Sequence, residues 1–172
     1  AGAECWVQNV DTVEQGKKTG WITVEDVEEA GARGTLLNHS EHKLPFELVK
    51  SIADQTRGMA FELCVCAADE NEAGRLDGLK PNYIAYEPPE LIGSRDKSVS
   101  SEKPEIIEKV VKAVKSGVLI GAGVNSAEDV RVGLKLGAKG ILVASGVVLA
   151  EDPEKELREL ARAFDTRLIN RS

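Results

Sequence analysis

Short apolar runs alternate with amphipathic stretches along the whole chain. The runs at 5–10 (CWVQNV), 34–38 (GTLLN), 59–66, 84–86, 118–120 and 140–143 are near-continuous rather than polar at every second position. That is the pattern of strands buried on both faces of a parallel sheet. The stretches between them read as helices. Phe46, Val49, Ile52 and Ala53 share one face behind Pro45, a first-turn proline, and Gly58 stops that helix. Ile106, Ile107, Val110, Val111 and Val114 form a second such face over 104–115. Thr23 with Asp26, and Ser126 with Asp129, read as capping boxes opening helices that run to Ala30 and Leu136. Gly31 ends the first of these. A weaker, charged helix is expected over 68–76, and Asp152 caps a last helix over 153–164.

This alternation predicts an α/β fold with helices packed on a parallel sheet. Each strand-helix unit takes roughly 29 residues, so the 172 residues hold about six units, whereas a closed eight-stranded barrel needs about 250 residues. One domain, 1–172, is expected, with no linker, low-complexity segment or solenoid repeat. A hydrophobic share of 42% leaves room for a sizeable core, and no apolar run spans a membrane. No signal peptide is read at the start. A net charge of -7 argues against nucleic acid and anionic membrane as partners, but not against an anionic substrate held by backbone amides. Cys5, Cys64 and Cys66 are odd in number and form no zinc pattern with His39 and His42, so a reducing, cytoplasmic compartment is expected. Thiols of this kind are read as core packing.

Candidate chemistry gathers where strands end. Ile84, Ala85 and Tyr86 lead into Glu87, then Pro88 and Pro89. The C-terminal end of a parallel strand is where such folds hold their reactive groups, and the prolines stiffen the backbone behind the carboxylate. Beyond Gly93 the polar stretch 94–103 (SRDKSVSSEK) has the character of a lid. Glu87 is read either as a catalytic base or as an ordinary strand-end residue capping the next loop. The turns Gly121-Ala122-Gly123 and Ala144-Ser145-Gly146 end the last two strands. In a barrel, such small-residue turns form a phosphate cradle from N–H groups; elsewhere they merely allow tight connections. His39 follows an apolar strand, and Ser40 and Glu41 start a helical turn that disfavours a charged imidazole. A base, a neutral imidazole, a cradle and a lid together suit proton abstraction beside the carbonyl of a small phosphorylated sugar.

The segments LLNHSE, YIAYEPPELIG, LIGAGVNSAEDV and GILVASGVV, in that order, resemble the triosephosphate isomerase family in its short archaeal form. The resemblance runs from about Cys5 to the last helix. It implies a TIM-barrel-type (βα) repeat, here incomplete with about six units. It also implies interconversion of dihydroxyacetone phosphate and glyceraldehyde 3-phosphate, a step of glycolysis and gluconeogenesis, with no metal and no organic cofactor. Under it Glu87 is the proton-shuttling base, His39 the neutral electrophile and Glu41 its supporting neighbour. Ile92 and Gly93 are lid residues closing over phosphate; Gly123, Ala144 and Ser145 form the cradle. Residues 16–20, with Thr19, resemble a loop that inserts into a neighbouring subunit, which implies a homodimer or homotetramer. The family's first strand ends in an Asn-x-Lys motif whose lysine stabilises developing negative charge, and no lysine here matches it. Lys17 and Lys18 belong to the subunit-contact loop. The competing expectation is therefore a catalytically impaired phosphate-binding or assembly module of the same family. A different phosphate-binding barrel enzyme is a third, which the HSE and YEPPELIG motifs disfavour.

Overall fold

The computed structural model describes residues 2–92, 98 and 104–165. Six strands form one sheet in sequence order, every neighbouring pair parallel: β1 (Trp6–Val7), β2 (Gly34–Leu37), β3 (Glu62–Ala67), β4 (Tyr83–Tyr86), β5 (Gly117–Ile120) and β6 (Gly140–Ile141). The connections carry α1 (Val24–Glu29), α2 (Phe46–Gln55), α3 (Glu70–Asp77), α4 (Pro104–Ala113), α5 (Ala127–Lys135), α6 (Ser145–Val148) and α7 (Pro153–Arg162). This is the expected incomplete TIM-barrel-type repeat: the sheet is open, with β1 and β6 as its edges. No helix among the described residues is long and apolar enough to cross a membrane.

Side chains alternate across each strand, and the alternation sorts the core into two faces. Leu63, Val65, Ala67, Ile84, Tyr86 and Val118 pack against the helices. Cys64, Cys66 and Ala85 point the other way, with Trp6, Leu36, Tyr83 and Leu119 beside them. Glu87 follows Ala85 by two residues. The same period therefore carries its side chain onto the inner face, above Cys66, which pairs with Ala85 in the ladder.

Several boundaries differ from the sequence-based expectation, each for a local reason. β1 shrinks from 5–10 to two residues because, as an edge, it meets only Gly34 and Thr35. β3 starts at Glu62 rather than Met59, since Gly58 turns left-handed (φ 86°) and the Met59 amide closes a turn onto the Thr56 carbonyl. α3 starts at Glu70 because Asp69 caps it, accepting from the Glu72 amide. β6 ends at Ile141, and the turn read at Ala144-Ser145-Gly146 is the start of a helix, α6, with Val147 and Val148 both donating to the Ala144 carbonyl. After Pro88 the chain makes one 3-10 turn, Pro89–Leu91. The caps at Thr23, Ser126 and Asp152 are present as expected.

Candidate active site

Strand ends decide what meets what. β2 ends at Leu37, and Asn38 then takes a left-handed backbone (φ 59°), which turns the chain so that His39 and Ser40 come over the end of β4. Asn38 is buried and fully engaged. Its Nδ2 donates to the Cys66 carbonyl (2.8 Å) and to Glu72 (2.9 Å), and its Oδ1 accepts from the Leu44 amide (3.0 Å). The 39–44 loop is thereby pinned at both ends to β3 and α3.

Glu87 is only 3% exposed. A carboxylate so buried requires partners. One oxygen lies 3.1 Å from His39 Nε2, and the other accepts from the Ser40 amide at 3.2 Å. The far side of the ring matters equally. The Glu41 amide donates to His39 Nδ1 at 3.3 Å, which requires a lone pair there and leaves the ring proton on Nε2, facing Glu87. The Glu41 carboxylate is 3.7 Å from Nδ1 but 89% exposed, where solvent screens it. His42 is exposed, its amide donating to the His39 carbonyl.

Beneath Glu87 the Cys66 thiol hydrogen-bonds to it. Burial first, and the Glu87 charge second, push the Cys66 thiol far up and the Cys64 thiol up to about 12. Both stay protonated, so neither is a nucleophile here.

These groups open into a cavity of about 580 Å³ lined by His39, Glu41, Glu87, Ile92, Gly123, Ala144 and Ser145, together with Gly121, Val124 and Gly146. Every residue selected from the sequence lines it except Gly93, which lies outside the described residues, as does stretch 94–103 apart from Ser98. Gly123 is left-handed (φ 68°). The first-turn amides of α6, Ser145 and Gly146, have no carbonyl within the helix to donate to. The Asn125 amide and the Ser126 hydroxyl instead both donate to Asp129. Among the described lining residues there is no Lys or Arg, and the described residues hold no group of three that could ligate a metal. A second cavity, about 380 Å³, lies at the opposite strand ends between Arg33, Glu62 and Asn82 and contains no imidazole.

Asn38 and Cys66 were not read as site residues from sequence, and Gly121 was read only as part of a small-residue turn, not as a neighbour of Glu87. A strand-end Asn just before the candidate His was the available signal for the first, because Asn tolerates a left-handed backbone. The other two depend on cross-strand register.

Glu72 ties this loop to α3. Burial alone would raise its carboxyl, but the Ala68 amide, the Asn38 amide group and Lys43 outweigh it and hold the carboxyl below its ordinary 4.5. A depressed group contributes stability above its unfolded value and loses it as pH falls. The stability gap between the protein and Glu72→Gln is therefore expected to be full at pH 7 and to close as pH drops through 4.5 and below. Urea midpoints at the two ends of that range check it; a gap constant with pH contradicts it.

The family model described as triosephosphate isomerase matches residues 2–163. The chain is 46% identical to the triosephosphate isomerase of Cenarchaeum symbiosum over 91% of its own length and 72% of that relative. It is 44% identical to the one from Thermoplasma volcanium over 91% of its length and 75% of the relative. With the one from Methanocaldococcus jannaschii it shares 40% over 90%, covering 73% of the relative. Among solved structures, thiamine phosphate pyrophosphorylase from Pyrococcus furiosus superposes with a TM-score of 0.59 at 23% identity, over 81% of this chain and 63% of that one. At that identity the match shows the fold alone.

Proposed function

The chain belongs to the triosephosphate isomerase family, and on that premise we propose that it interconverts dihydroxyacetone phosphate and glyceraldehyde 3-phosphate. The observation that carries this reading is the buried Glu87 carboxylate within 3.1 Å of an Nε2–H, both facing one cavity. Glu87 removes a proton from the carbon beside the substrate carbonyl. His39 donates a hydrogen bond from its Nε2–H to the carbonyl oxygen as charge develops there. Glu87 then returns the proton to the former carbonyl carbon, while the hydroxyl proton on the first carbon's oxygen passes by way of His39 to the former carbonyl oxygen, which leaves the imidazole as it began and the carbonyl on the other carbon. Glu41 supports the ring through its backbone amide, which donates to Nδ1. Gly123, Ala144, Ser145 and the α6 amides hold the phosphate through backbone N–H groups, and Ile92, which lines the same cavity, covers it. No metal or organic cofactor enters these steps. Residues 14–22, which include the loop at 16–20, are exposed throughout, with Trp21 at 55%. That supports association with further copies, as a dimer or tetramer.

The lack of a Lys or Arg among the described lining residues favours a second reading: a family module that binds the phosphate but turns it over slowly, for want of a cation beside the developing negative charge. A coupled assay on the protein separates the two. Turnover of dihydroxyacetone phosphate supports the isomerase; phosphate binding without turnover supports the module.

A further inference from the structure

Gly121 begins the turn after β5, and its amide donates to the Tyr86 carbonyl at 2.8 Å, directly beside Glu87. Its backbone is not left-handed, unlike that of Gly123, so other residues can adopt it and only space accounts for the missing side chain. A Cβ here would lie 2.6 Å from Glu87 Cγ and 3.3 Å from its Oε1, with the nearest backbone atom, the Tyr86 oxygen, at 3.2 Å. The collision is thus with the stem of Glu87, while the backbone needs to give only slightly. At Gly117, by contrast, the neighbours are an aromatic ring and a lysine stem, which are packing.

We propose that Gly121 is a positioning residue: its bare Cα leaves the space in which Glu87 folds back onto His39 and Ser40. The inference rests on the isomerase reading for its kinetic consequence, but not for its structural one. A methyl group at Gly121 turns the carboxylate out of contact with the His39 Nε2–H and the Ser40 amide. The base then starts from a different place relative to the substrate, while the cradle at Gly123 and Ser145 is untouched.

The test is a double-substitution cycle of Gly121→Ala with Glu87→Ala, because truncated Glu87 has no Cγ to collide with. In the otherwise native protein, Gly121→Ala is expected to lower Tm by roughly 5 °C, and in the Glu87→Ala background by no more than about 1 °C. Should Gly121→Ala alone fail to fold, the double variant is expected to fold, and its failure would overturn the inference. Equal Tm losses in the two backgrounds overturn it as well. In turnover, Gly121→Ala is expected to lower kcat about 100-fold with KM for dihydroxyacetone phosphate within about 2-fold. A raised KM at unchanged kcat would instead mean a distorted cradle and would also overturn it. Absent turnover in the native protein would refute the isomerase reading and leave the Tm cycle to decide the role of Gly121.

Discussion

Glu87→Gln is expected to lower kcat by about 1000-fold while leaving KM within a few-fold. Gln matches Glu in shape, so the fit between β4 and Gly121 is kept. Its amide oxygen can still accept from the Ser40 amide, and a neutral polar group remains beside His39 Nε2. What it cannot do is take up a proton from carbon. Because the change is confined to that capacity, the loss falls on the chemical step and not on binding. Steady-state kinetics on the variant check it. Turnover within about tenfold of native would mean that another group is the base.

The second large effect concerns the far wall of the cavity. Gly123→Asp is expected to weaken binding of glycerol 3-phosphate by at least about 100-fold. Two costs combine. The backbone at Gly123 is left-handed, which costs a non-glycine residue about 1 kcal/mol. The new carboxylate would also face the phosphate, and like charges about 4 Å apart repel by about 4 kcal/mol near a protein surface. Gly123→Ala isolates the first cost and is expected to weaken binding by about tenfold or less. Calorimetric titration of both variants separates strain from charge. Equal affinities for the Asp variant and the native protein would remove Gly123 from the cradle.

The order of elements was legible because strand and helix periods differ and the capping residues mark the helix starts. Thr23, Ser126 and Asp152 each do what their sequence position implies. The meeting of His39 and Glu87 was legible only indirectly. Each stands at the end of an apolar run, and a parallel sheet brings such ends to one side. Less local features were hidden. That Cys66 lies under Glu87 depends on its pairing with Ala85, and the need for bare space at Gly121 depends on where the Glu87 stem falls. Register between strands is a property of two segments at once, and periodicity within one does not contain it. α6 escaped for another reason: four residues of SGVV carry no amphipathic period, and the helix rests on bonds to the Ala144 carbonyl. The expected lid at 94–103 lies, apart from Ser98, outside the described residues.

Beneath both predictions is the idea that a carboxylate moves a carbon-bound proton while an imidazole steadies the oxygen. Isomerisation run in heavy water addresses it most directly. A base that takes and returns a proton exchanges it with solvent in passing. Deuterium is thus expected on the product carbon beside the carbonyl in the native protein, and essentially none is expected with Glu87→Gln. Product formed without solvent deuterium, or labelling that persists in Glu87→Gln, would contradict the account.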